Sequence, residues 1–183
     1  ANCQFFAVEC WPTSAIPYLV AELSKESTQT LSEAVSGLTI VTYAAEALVK
    51  TGKPAVPALA EMATRDGDAD VRIRALQALA RIGVDANESV PALLASTHDK
   101  DEDIRYFAVE TLVSVMREPG EVVSPLVRCL DDSSPDVKSV AVRGLGVVGP
   151  AATSAIPKLL QMSSTTELRR QHQAAFVPLR ADV

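Results

Sequence analysis

The chain has 183 residues, a formal charge of −6 and 48% apolar residues; 27 residues are alanine, and only 4% are aromatic. Such a chain cannot build one thick core around large rings, and suits thin layers in which helices approach closely over small side chains. The acidic balance argues against nucleic acid as the main partner, because a phosphate backbone needs positive potential; no stretch approaches the ~18 uninterrupted apolar residues of a membrane span, and no signal-peptide pattern is visible.

The first residues already carry a helical register. Ala1, Gln4, Phe5 and Val8 occupy spacings that recur in every later inner helix. Residues 1–11 therefore read as the end of a preceding inner helix, and the chain reads as a fragment of a longer array. Within that helix Cys3 and Cys10 would stand about 10 Å apart along the axis, beyond the roughly 7 Å between Cα atoms that a disulfide allows. Cys129 has no obvious mate. Three apolar, reduced thiols favour a reducing, cytoplasmic compartment.

A proline near a helix start recurs next. It appears as Ile16-Pro17-Tyr18-Leu19, Val56-Pro57-Ala58-Leu59, Val90-Pro91-Ala92-Leu93, Ser124-Pro125-Leu126 and Ile156-Pro157-Lys158-Leu159. Proline is tolerated in a first helical turn, where its missing N–H would be unpaired anyway. Thr13 to Pro17 and Thr153 to Pro157 both read Thr-Ser-Ala-Ile-Pro, so distant parts of the chain share one template.

A second kind of helix alternates with the first. Ile40, Val71, Ile104, Val137 and Leu168 follow one another at steps of 31, 33, 33 and 31 residues. Four positions on stand Ala44, Ala75, Ala108, Ala141 and His172; seven on, Ala47, Ala78, Thr111, Gly144 and Ala175. Eight on are Leu48, Leu79, Leu112, Leu145 and Phe176; eleven on, Thr51, Ile82, Val115, Val148 and Leu179. These offsets trace one face of an α-helix, and the small residues let it approach a neighbour closely. Acidic turns at Asp66 to Asp70, Asp99 to Asp103 and Asp131 to Asp136 can cap the following helix. Gly52, Gly83 and Gly149 follow helix ends, where glycine takes the left-handed cap conformation. The segment 25–39 is longer than the other turns within a repeat.

The best copy, Asp70-Val71-Arg72, Ala75, Ala78-Leu79, Ile82-Gly83, Val90-Pro91 and Leu93, resembles the HEAT repeat family, in particular the short HEAT-like repeats related to phycobilin lyases. Asp103-Ile104-Arg105 and Asp136-Val137-Lys138 begin further copies. The resemblance implies an all-α fold, a right-handed solenoid of antiparallel helical hairpins with about five repeats. The expected repeats are 14–52, 53–83, 87–117, 120–149 and 152–180, in a single domain over 1–183. It implies proline-started helices on the convex side and Val-Arg helices on the concave side. Arg72, Arg105 and Lys138 would reach aspartates in the turns of adjacent repeats, as exposed pairs worth roughly 0–1 kcal/mol each.

The concave face is where such arrays bind. Positions two and six beyond the aligning apolar residue give Thr42, Ile73, Tyr106, Ser139 and Arg170, then Glu46, Gln77, Glu110 and Arg143. Tyr43, Arg74, Phe107 and Val140 flank them. The candidate partner-binding residues are thus Tyr43, Glu46, Arg74, Gln77, Tyr106, Phe107, Glu110 and Arg143, since Tyr and Arg are common interface anchors. Tyr106 or Phe107 could equally wedge between neighbouring repeats, and both readings stay open here.

No catalytic constellation or metal site is expected. His98 lies in an acidic turn, and His172 is 74 residues away. The repeated His-Glu pairs of HEAT-like di-iron hydroxylases are missing, since Asp99 follows His98 and Gln173 follows His172. The cysteines lack CxxC spacing, and Gly144 to Gly149 imitates a dinucleotide fingerprint inside an expected helix. The sequence therefore reads as a protein-binding scaffold without a cofactor, and not an enzyme. A chromophore-attaching subunit like the lyases, and a structural segment of a larger assembly, are the alternatives.

Overall fold

The computed structural model describes residues 12–24, 43–65 and 67–163. Expectations for residues 1–11, the 25–39 insertion, and Ile40, Thr42, Leu168, Arg170 and His172 lie outside the described residues. Proline-started helices are α1 (Ile16–Leu23), α3 (Val56–Arg65), α5 (Val90–Ser96), α7 (Val123–Cys129) and α9 (Ile156–Ser163). Alternating with them are α2 (43–51), α4 (Ala69–Ile82), α6 (Glu102–Val115) and α8 (Pro135–Val148). No strand occurs among the described residues.

Helix boundaries follow local chemistry. Asp68 and Asp101 cap α4 and α6, each accepting a hydrogen bond at 2.9 Å from the backbone N–H two residues on. Such a cap contributes about 1 kcal/mol. Gly52, Gly83 and Gly149 have φ near 68°, 70° and 65°, as a glycine stop requires. Their ψ values near −136°, −140° and −132° differ from the expected left-handed helical cap. This is the mirror image of extended backbone, which only glycine reaches without strain. It turns the chain sharply into a 3₁₀ segment, such as Gly83–Ser89 or Gly149–Ala155, that leads into the next proline-started helix.

Neighbouring helices pair as antiparallel hairpins, α3 with α4, α5 with α6 and α7 with α8. The hairpins stack in two layers. Helices α4, α6 and α8 form consecutive contacts in the inner layer, while α1, α3 and α5 do so in the outer one. This is an α-solenoid of helical hairpins. The aligned positions fill the space between layers: Val71, Ile104 and Val137, Ala75, Ala108 and Ala141, and Leu79, Leu112 and Leu145 are all buried. Gly144 leaves no room for a side chain between α8 and its neighbours. A Cβ built on it would lie 2.7 Å from Val113 Cγ2 and 3.2 Å from Leu126 Cδ1. At the equivalent position of α6, the buried Thr111 hydroxyl lies 2.7 Å from Phe107 O of its own helix and 3.1 Å from Leu76 O of α4, so α6 and α4 approach closely there.

Residues Pro135–Met162 have the length and apolar composition of a membrane-crossing helix. The backbone breaks them at Gly149 into α8 and α9, and Val137, Val140, Leu145 and Val148 are buried in the stack.

Candidate partner-binding face

The first turns of the inner helices carry an ion-pair ladder. Arg72 Nη1 donates to Asp99 Oδ2, 27 residues on. Arg105 repeats this with Asp132 at the same separation, bidentately, through Nε at 2.8 Å and Nη2 at 2.9 Å. Its Nη1 also donates to the carbonyls of Asp99 and Lys100 at 2.9 and 3.1 Å. One guanidinium thus holds its own turn and the next one together. The partners match the expectation, but the environment corrects it: the Arg105 and Asp132 side chains are only 12% and 11% exposed. Packing of successive turns excludes the water that would weaken a surface pair. Burial alone would raise the Asp132 carboxyl. The hydrogen bonds from Arg105 and from Ser134 N–H outweigh burial and hold it below the usual carboxylate range, and the same bond with Asp132 raises the Arg105 guanidinium. The rung at Lys138 has Thr165 at the corresponding distance and no aspartate.

Farther along the inner helices the side chains form an outward row. Arg81 reaches Glu46 of the preceding repeat at 3.8 Å. Arg143 Nη2 lies 3.2 Å from Glu110 Oε1 and donates to the Tyr106 hydroxyl at 3.4 Å. The hydrogen bond with Tyr106 and the charge of Glu110 raise the Arg143 guanidinium above its ordinary value, against partial burial. Gln77 and Ser139 are exposed on the same row, as is Val147, at 63%.

The flanking row behaves differently along its length. Tyr43 is 65% exposed. Arg74 Nη1 donates to Leu23 O at 3.2 Å, bracing α4 against the end of α1. Phe107 is half-buried against the core, and its ring meets that of Tyr106 edge-on, with centroids 5.3 Å apart and planes at 89°. Val140 is buried. Arg74 on this row reaches back to α1, while Phe107 and Val140 pack into the core. Tyr106 packs its ring and keeps its hydroxyl in the outward network. The structure thus brings Tyr106, Glu110 and Arg143 together, and Glu46 stands with Arg81. Gln77 lies between these groups, while Arg74 and Tyr43 stand apart.

Two inner-layer residues escaped the sequence reading. Arg81 completes the pair with Glu46, and Val147 is the apolar end of the row. Both lie ten positions beyond the aligning apolar residue, where helical spacing could have found them.

His98 is exposed in the turn after α5, and Cys129 is buried, with desolvation pushing its thiol up to about 11. Among the described residues, no three His, Cys, Asp or Glu side chains gather as a metal-binding group.

No curated protein sequence matches the chain. Among matching solved structures is the complex of CpcE and CpcF of phycocyanin lyase from Nostoc sp. PCC7120. It aligns with a TM-score of 0.65 and 19% identity, covering 87% of this chain and 96% of that one. At that identity the likeness concerns the fold. The HEAT-repeat family model matches residues 56–146 and 90–177, which together take in the ion-pair ladder and most of the outward row. The chain belongs to the HEAT repeat family.

Proposed function

We propose that this protein is a non-catalytic scaffold that binds a protein partner on the concave face formed by its inner helices. The observation that carries this reading is the outward row Glu46, Gln77, Glu110 and Arg143. It runs across four successive inner helices, with ion pairs joining α2 to α4 and α6 to α8. A surface held in this way loses little side-chain freedom when a partner settles on it, and ordering such side chains is a main cost of association. Tyr43, Tyr106 and Val147 add amphipathic or apolar contact area to the charged row. The likeness to a two-protein complex fits a role built on protein partners.

Photo-crosslinking tests the reading. A crosslinker at Gln77 captures a native partner, one at Ala95 on the outer layer does not, and Arg143→Glu lowers capture from Gln77 at least tenfold. Equal capture from both faces, or capture indifferent to Arg143→Glu, would refute it.

A second reading, a lyase-like chromophore-attachment subunit, draws on the fold likeness to phycocyanin lyase. A shifted bilin absorption band on titration with the protein would support it; an unchanged spectrum removes it. A structural segment of a larger assembly is the third reading.

A further inference from the structure

One junction inside the stack departs from the others. Gly52, Gly83 and Gly149 hold the same place in their repeats, and the equivalent residue after α6 is Met116. A side chain there cannot take the glycine geometry without strain. The chain therefore leaves α6 as extended backbone, with Met116 at φ −59° and ψ 131°. A different connection follows. Gly83–Ser89 lies against α3 behind it and α6 ahead, and Gly149–Ala155 lies against α7 behind it and α9 ahead. After α6 the 3₁₀ segment shrinks to Pro119–Val122. It lies against α7 and Gly149–Ala155, with no comparable packing on α5 behind it. Arg117, Glu118, Gly120 and Glu121 are exposed.

The outer layer is tied least at the same place. The backbones of α1 and α3 approach directly, as do those of α3 and α5, over Ala60 and Ala92. Gly149–Ala155 joins α7 to α9. Between α5 and α7 neither link has a counterpart. The larger Leu94 and Pro125 stand there in the places of Ala60 and Ala92. The inner layer, by contrast, is fastened across this junction. Helix α8 meets α6 at Gly144 with no room for a side chain between them, Arg105 holds Asp132 bidentately, and Arg143 lies against Glu110.

We infer that the stack hinges at this junction, with the α6–α8 contact as the pivot and the α5–α7 side as the part that opens and closes. Repeats in a solenoid touch only their neighbours, so a junction tied in one layer bends about that layer. The bend turns the helices from α7 onward against those up to α6. It changes the curvature of the inner face and leaves the ion pairs across the pivot intact. Glu110 and Arg143 thus sit at the turning line, and the inner face can close to different degrees around what it holds.

Pulsed electron dipolar spectroscopy on the full chain tests the hinge, with nitroxides on genetically encoded residues so that the native cysteines stay in place. An outer pair at Glu61 and Arg128 and an inner pair at Gln77 and Ser139 both span the junction, and all four positions are exposed. Single-label spectra at each site give the motion of the label itself. After that correction the outer distance distribution is expected to be at least about twice as wide as the inner one. An outer distribution less than twice as wide overturns the inference, whether both are narrow or both broad. The measurement needs no partner, so its failure leaves the scaffold reading standing.

Discussion

Gly144 and Gly146 stand two residues apart in α8 and should respond to alanine with opposite signs. In both, alanine removes the backbone-entropy cost of glycine in a helix, a gain of about 1 kcal/mol. At Gly146 a new Cβ meets nothing within 4 Å, so the gain is realised. At Gly144 it meets Val113 Cγ2 at 2.7 Å and both Leu126 methyls at 3.2 and 3.3 Å. Val113 is β-branched and stiff, so α8 must move away from α6, at about 1–3 kcal/mol for overpacking. The net loss is up to about 2 kcal/mol. Thermal melts followed by far-UV circular dichroism should show Gly146→Ala raising Tm by about 2–4 °C and Gly144→Ala leaving it unchanged or lowering it by up to several degrees. Adding Val113→Ala to Gly144→Ala should recover part of the loss, seen as favourable coupling in a double-mutant cycle. Gly144→Ala as stabilising as Gly146→Ala would refute the claim that the residue at 144 sets the α6–α8 distance.

Arg105→Met leaves the half-buried Asp132 carboxylate without its partner and should cost about 1–3 kcal/mol in urea unfolding. Arg72→Met should cost less, because the Arg72 rung uses one nitrogen and leaves Nε without an acceptor; equal small losses would mark both rungs as surface-like. Asp132 has a lowered folded pKa, so its contribution is present above the unfolded value near 3.9 and lost as pH falls through the folded value. Asp132→Asn should therefore flatten the fall in stability below about pH 4, and an unchanged acid limb in pH-dependent urea melts would contradict this. The Cys129 thiol, pushed up to about 11 and buried, should resist alkylation at pH 8 in the folded protein and react fully in urea, as peptide mass mapping would show.

Much of the fold was legible in the sequence because a solenoid repeats its packing problem. The spacing that placed Val71, Ala75, Ala78 and Leu79 on one face recurs in α6 and α8, and those positions are buried. The prolines and glycines announced the ends of helices, since their backbone limits act locally. The glycine ψ values and 3₁₀ connections were less visible, because the sharp turn is set by where the next helix must dock. The candidate face was half legible. Helical phase grouped Glu46, Gln77, Glu110 and Arg143, but could not say that Arg81 lies beside Glu46 or that Phe107 packs against the core.

Periodic side chains alone determined that this protein is a stack of helical hairpins, because apolar residues at helical spacing can be buried only against another such face. Tertiary structure decided which charged groups lost their water. Arg72 and Arg105 look like surface cations in the sequence, yet they are nearly buried, because successive turns close over them. Whether a charge sits in solvent or inside a contact depends on the distance between elements many residues apart, and local sequence does not encode that distance.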